Sequence, residues 1–107
     1  MKPALLLLLT VAAFLTNVAS AQALINPPTF IITGLYFAGG TNYMIRVYGI
    51  PAGYCPANWA YVNAADDASQ QKAAGLMVAY TTGKNVNMTV QIGTGGYCNV
   101  VEFFVNG

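Results

Sequence analysis

The chain has 107 residues, of which 56% are hydrophobic and 7% charged, with four Lys or Arg, three Asp or Glu and no histidine. An ordinary domain carries about 25% charged residues, so this one lacks the basic surface that neutralises phosphates in nucleic-acid binding or docks on anionic membranes. It also lacks the commonest general acid–base and metal-ligating side chain.

The chain opens Met1-Lys2, continues as an apolar run from Pro3 to Leu15 and reaches Val18-Ala19-Ser20-Ala21. A basic start, a short apolar stretch and an Ala-x-Ala site are the three parts of a signal peptide. The run is shorter than the roughly 20 residues that span a bilayer, so cleavage is expected and stable membrane insertion is not. Cleavage after Ala21 leaves residues 22–107 as one secreted or periplasmic domain (Ala21-Gln22-Ala23 offers a second site). Without Lys2, three cations (Arg46, Lys72, Lys84) balance three acids (Asp66, Asp67, Glu102). Zero net charge promotes association, and a homo-oligomer is expected. So short a domain is marginal without a staple. Cys55 and Cys98 are its two cysteines, and in an oxidising compartment they are expected to pair. The long loop they close implies about 4 kcal/mol of stabilisation.

Residues 22–28 form a leader that Asn26-Pro27-Pro28 keeps extended. Thr29–Phe37 is rich in Ile, Phe and Tyr and reads as a strand apolar on both faces. Ala38-Gly39-Gly40-Thr41-Asn42 turns the chain into a second strand, Tyr43–Ile50, completing a hairpin. In that second strand the alternation puts Tyr43, Ile45 and Val47 on one face, with Met44, Arg46 and Tyr48 on the other. Pro51-Ala52-Gly53 breaks the pattern, and residues 55–58 read as a loop held by the disulfide. Trp59–Val62 is a short third strand. A helix follows, capped by Asn63 or Asp66, with Asp67 and Gln70 resembling a capping box. Ala73, Leu76, Met77 and Tyr80 form its apolar stripe, and Gly83 is its left-handed terminus. The period then switches to two: Val86, Met88, Val90 and Ile92 alternate with Asn87, Thr89 and Gln91 in a half-buried strand. Gly93-Thr94-Gly95-Gly96 turns into a last strand, Tyr97–Val105, with Val101, Phe103 and Val105 on one face and Glu102 on the other. The order is mainly β with one helix, β-β-β-α-β-β. It predicts a small OB-fold-like barrel, with an open α+β sheet carrying the helix on one face as the alternative.

The chemistry-bearing residues are few. Paired cysteines remove the thiolate nucleophile. Asp66 and Asp67 sit at a helix start, where capping and the helix dipole explain them. Ser69 has no base nearby in sequence, so no catalysis, no metal and no cofactor are expected. The Gly93–Gly96 stretch precedes a strand, not the helix a phosphate loop needs, and reads as a turn. Tyr36, Tyr80 and Trp59 are read as core, while Tyr43, Tyr48, Tyr54, Tyr61 and Tyr97 lie at turns or on mixed faces. Rings with polar tips suit a glycan or a neutral protein surface. Arg46 amid Tyr43 and Tyr48 is the most distinctive group, able to receive a carboxylate or stack on a ring; an exposed edge-strand arginine that opposes aggregation accounts for it equally well. Those three residues are the candidate ligand site. Asn87-Met88-Thr89 fits the N-glycosylation sequon on an exposed strand face, and chance is the simpler account of it.

Tyr54-Cys55-Pro56, the aromatic third strand, a helix ending Tyr80-Thr81-Thr82-Gly83-Lys84-Asn85-Val86, and Gly96-Tyr97-Cys98 together resemble the small OB-fold B subunits of pertussis- and subtilase-type bacterial toxins, and small exported bacterial proteins of similar length. The resemblance spans about residues 30–105. It implies a disulfide-tied, ring-forming, glycan-binding subunit; the alternative is a structural or inhibitory envelope or secreted protein that shares only the fold. The loops here are short and the family's sugar-binding cluster has no counterpart, so the resemblance carries over no binding residues and implies no toxic partner subunit.

Overall fold

The computed structural model of the chain describes residues 23–107; the expected signal peptide of residues 1–21 lies outside them. The fold is mainly β with one helix. Strands β1 (Leu24–Ile25), β2 (Phe30–Ile31), β3 (Gly34–Phe37), β4 (Ile45–Tyr48) and β5 (Trp59–Val62) precede helix α1 (Ser69–Thr82), and β6 (Asn85–Ile92) and β7 (Cys98–Val105) follow it. All seven strands belong to one sheet in the order β1-β6-β7-β5-β4-β3, with β2 also paired to β6. Pairing is antiparallel except between β5 and β7, which run parallel. Helix α1 and the antiparallel β6 together supply the long return that a parallel pair needs.

The expected hairpin forms, with Tyr36 opposite Arg46 and Phe37 opposite Ile45. The single strand expected over Thr29–Phe37 is broken at Ile32-Thr33. Its first half pairs with β6 and its second with β4, so one short segment reaches both ends of the strand path. Gly49 permits this bend. Its φ is +119°, and a Cβ there would lie 2.5 Å from the Ile31 carbonyl oxygen. The ladder is not closed into a barrel, so the expected OB-like barrel gives way to the open α+β sheet with a helix on one face.

The core lies between that helix and the sheet. Ile45, Val47, Ala60, Val62, Val86, Met88, Val90, Cys98 and Val100 face Leu76 and Ala79. The alternation read in β6 therefore holds. In β7 it does not run unbroken: Thr89 pairs with Glu102 and Val90 with Val100, so a bulge at Val101 shifts the phase. Cys98 and Val100 face the core before it, Phe103 and Val105 after it, and Val101 leaves the face it was expected to share.

The helix also turns differently from the expected stripe. It packs through Leu76 and Ala79, with Ala73 half-buried, while Met77 and Tyr80 stand 48% and 45% exposed. Small residues bring the helix close to the sheet. A Cβ on Gly75 would lie 3.0 Å from the Phe103 ring, a spacing with no room for Met or Tyr. Gly83 ends the helix in the left-handed region as expected, at φ 65°, and the Lys84 N–H reaches the Ala79 carbonyl at 3.2 Å. At the start, neither Asn63, Asp66 nor Asp67 caps it. Ala68 holds the cap position at φ 54° without a side-chain bond, and Asp66 is engaged elsewhere.

Cys55 and Cys98 are disulfide-bonded, their Cα atoms 5.7 Å apart. The bond joins the loop before β5 to the first residue of β7.

Candidate functional site

The strands place a second set of side chains on the face away from the helix. One cross-strand row there reads Leu24, Gln91, Asn99, Tyr61, Arg46, Tyr36, one residue from each strand of the path. Gln91 and Asn99 make its β6–β7 part polar, with Leu24 exposed at the β1 end, and its β5–β3 half sets Arg46 between two tyrosines. β5 is therefore covered on both sides: Ala60 and Val62 face the core, and Trp59 and Tyr61 lie under the aromatic half.

Tyr43 organises that half. The sequence pattern sets it with Ile45 and Val47, but its φ is +54°, which ends the extended alternation and delivers the ring to the Arg46 side. A 2.5 Å bond from its N–H to Asn63 Oδ1 holds the turn. Its ring meets Tyr61, Tyr97 and Trp59 edge-on, at centroid separations of 4.8, 5.7 and 5.8 Å. Trp59 and Tyr97 stack at 4.4 Å with 25° between planes. Edge-to-face and offset-stacked pairs add about 0.5–1.5 kcal/mol each beyond the area they bury.

The Gly93–Gly96 turn is cut to fit these rings. The Tyr61 hydroxyl accepts the Thr94 N–H at 2.6 Å, and the Tyr43 hydroxyl donates to the Thr94 carbonyl at 2.7 Å. A Cβ on Gly93 would fall 2.1 Å from the Tyr61 oxygen, and one on Gly95 2.0 Å from the Tyr43 oxygen. The glycines thus admit tyrosine hydroxyls to the backbone and, as the sequence suggests, make a turn between strands.

Asp66 ties the rear of the cluster. One of its carboxylate oxygens accepts the Asn63 N–H and the Asn99 side-chain amide, both at 2.8 Å. Asn99 also donates to the Tyr61 carbonyl at 3.2 Å. Beside this network, Asp66, Asp67, Lys72, Gln91 and Asn99 line a shallow hollow of about 260 Å³, where the Lys72 ammonium donates to the Val100 carbonyl at 3.3 Å. A similar hollow of about 280 Å³ lies between Asn87, Thr89, Glu102 and Phe104 at the polar end of the face.

Arg46 is the centre of the aromatic end. Its Cζ lies 5.0 Å from the centroids of Tyr36 and Trp59 and 6.0 Å from that of Tyr43. Rings at that distance attract a cation by about 0.5–2 kcal/mol each, more as water is excluded. They do not replace a hydrogen-bond acceptor: the Arg46 Nε is buried without a partner, which costs about 1–3 kcal/mol.

Of the candidate site residues, Tyr43 and Arg46 are therefore brought together. Tyr48 lies in register with Trp59 and against Gly34, one step along the strand from the cluster. Residues outside the expected set complete it. Tyr36, expected in the core, is 51% exposed at its rim, whereas Tyr61, expected on a mixed face, is 1% exposed. Trp59 is buried as expected, but under the aromatic cluster and not under the helix. The hairpin register was the signal for Tyr36, because pairing across the Ala38–Asn42 turn sets it opposite Arg46. Tyr80, also expected in the core, is exposed on the helix. Asn87 is exposed, and its side-chain oxygen accepts a bond from the Thr29 hydroxyl.

Among the described residues no three His, Cys, Asp or Glu side chains converge as a metal site, and no helix is long and apolar enough to cross a membrane. No family model, no curated protein and no solved structure matches this chain, so nothing in these comparisons links it to toxin B subunits.

Proposed function

We propose that the protein is an exported, non-catalytic binding module whose Arg46-centred aromatic surface holds a glycan or a protein. The observation that carries this reading is the placement of Arg46: a cation with an unsatisfied Nε, framed by Tyr36, Trp59 and Tyr43, on the sheet face the helix leaves uncovered. A disulfide is compatible with an oxidising, extracellular location. Amphipathic rings around an arginine are the side chains that concentrate binding energy in recognition surfaces.

Trp59, the single tryptophan, is a built-in reporter. Oxidised protein covering residues 22–107 is screened on glycan and peptide arrays, and each hit is titrated against Trp59 fluorescence. A ligand of this surface shifts that emission and loses at least tenfold in affinity with Tyr36→Ala. If every hit leaves the emission unchanged and binds Tyr36→Ala equally, the surface is not the binding site. Light scattering on the same material tests the expected homo-oligomer.

A further inference from the structure

Strand β3 ends the strand path and has one neighbour, β4. The Ala38 N–H bonds the Met44 carbonyl, which makes Ala38–Met44 a hydrogen-bonded pair. By the antiparallel alternation, Tyr36 and Gly34 also bond to β4, while the N–H and C=O groups of Leu35 and Phe37 point outward. Natural edges are usually blunted by a charge, a proline or a bulge. Gly34-Leu35-Tyr36-Phe37 has none of these; helix α1 approaches β3 as it does β5 and β7, yet Tyr36 and Phe37 stay 51% and 55% exposed.

Arg46 sits immediately behind this edge. A strand added beside β3 at the usual spacing of about 4.8 Å would extend the row Tyr61-Arg46-Tyr36 by one residue, with the Tyr36 ring between that residue and the guanidinium. The chain supplies no acid there. No Asp or Glu occurs before Asp66. Asp66 is committed to Asn63 and Asn99, Asp67 lines the hollow beside Lys72, and Glu102, paired with Thr89 on β7, stands off the Asn99-Tyr61-Arg46 row as well as two strands away from Arg46.

We infer that the β3 edge receives an extended peptide as an added strand, and that an Asp or Glu side chain of that peptide reaches over Tyr36 to Arg46. The inference rests on the proposed binding surface and narrows its ligand to an acidic peptide. Backbone pairing supplies the affinity and the side-chain row supplies the selectivity, as in other strand-addition complexes. A second copy of this chain fits less well, because its β3 brings no carboxylate to Arg46.

The test uses fluorescein-labelled peptides of alternating Thr-Glu, Thr-Gln and Thr-Lys, titrated against the oxidised protein by anisotropy, with amide hydrogen exchange read at Leu35 and Phe37. The Thr-Glu peptide is expected to bind at least tenfold more tightly than the Thr-Gln peptide, to weaken as salt is raised, and to slow exchange at both amides. Arg46→Gln should erase the Glu–Gln difference, and N-methylation of the Thr-Glu backbone should abolish binding without any change to the protein. Equal binding of the three peptides, no binding of the Thr-Glu peptide, or unchanged exchange at Leu35 and Phe37 would overturn the inference. Dimerisation through β3 that excludes the peptide would also overturn it. An array glycan that shifts Trp59 emission without protecting those amides would overturn edge docking alone and leave the aromatic surface as the binding site.

Discussion

Removing the Cys55–Cys98 cross-link is a perturbation whose cost follows from the length of the loop it closes. The cysteines are 43 residues apart. The chain-entropy relation for a loop of that length gives an entropy of about 13 cal/mol/K, or roughly 4 kcal/mol at room temperature. Domains carry about 0.05–0.15 kcal/mol per residue, so this loss takes between a third and nearly all of the stability of a domain this size. Both cysteines are buried and have to part only by a side-chain rotation once reduced, so most of the effect acts through the unfolded chain. Urea unfolding is followed by Trp59 emission and far-ultraviolet circular dichroism, with and without reductant, with alkylation confirming free thiols. With m of about 1 kcal/mol/M for a small domain, the midpoint should fall by up to about 4 M. The slope should rise, because the released chain expands and exposes more surface. A midpoint shift below about 1 M with fully alkylatable thiols would refute the reasoning, since the cross-link would then not be restricting the unfolded chain.

Three substitutions test the packing. Leu76→Ala empties a fully buried position under the sheet and should cost about 2–5 kcal/mol, whereas Met77→Ala, one residue on and exposed, should stay within about 0.5 kcal/mol; equal urea midpoints would contradict the helix orientation. Gly95→Ala should cost about 1–3 kcal/mol and alter the Trp59 spectrum, because its Cβ would strike the Tyr43 hydroxyl. Gly96→Ala, with φ at +83° but open space around it, should cost about 1–2 kcal/mol of backbone strain and leave that spectrum unchanged. Asp66→Ala strips the Asn63 N–H and the Asn99 amide of their shared acceptor and should cost about 1–3 kcal/mol, against less than about 0.5 kcal/mol for the exposed Asp67→Ala, both read by thermal melts.

The parts of the fold that rest on periodicity and turn chemistry were legible from residues alone. The alternation of Val86, Met88, Val90 and Ile92, the hairpin across Gly39-Gly40 and the helix stop at Gly83 follow local rules that tertiary packing did not override, and the cysteine pair, 43 residues apart, followed from there being only two. Where packing chose between local options, the sequence was silent. Two residues, Ile32 and Thr33, divide one apolar run between two partner strands, and no local pattern marks the division. Helix α1 carries apolar residues around most of its circumference, so its inner face was settled by closeness of approach at Gly75, not by the largest side chains. Asp66 had two outlets, the helix N-terminus and Asn99, and a partner distant in sequence took it. At the candidate site, one positive φ at Tyr43 reversed the face that alternation assigns. That reversal joined Arg46 to an aromatic group whose members are spread from Tyr36 to Tyr97.

The same constraints hold this surface in order before any ligand arrives. Immobilising a flexible side chain on binding costs about 0.5–1.5 kcal/mol, and Tyr43, Trp59, Tyr61 and Tyr97 have already met that cost in folding. Tyr43 is held at its backbone by Asn63 and at its hydroxyl by Thr94. Tyr61 is held by the Thr94 N–H and, through its carbonyl, by Asn99. Tyr97 stacks on Trp59 and adjoins Cys98, whose disulfide reaches back to the loop that precedes Trp59. The cross-link, the glycine turn and the Asp66 network therefore converge on one set of rings. The member left free is Tyr36, at the sheet edge, and the group left unsatisfied is the Arg46 Nε. Rigid rings behind an exposed edge and an unsatisfied guanidinium are together what stability alone would not require. Burying a hydrophobic side chain at position 46 would serve the fold better, since it would bring neither an unpaired charge nor an orphaned donor into the cluster.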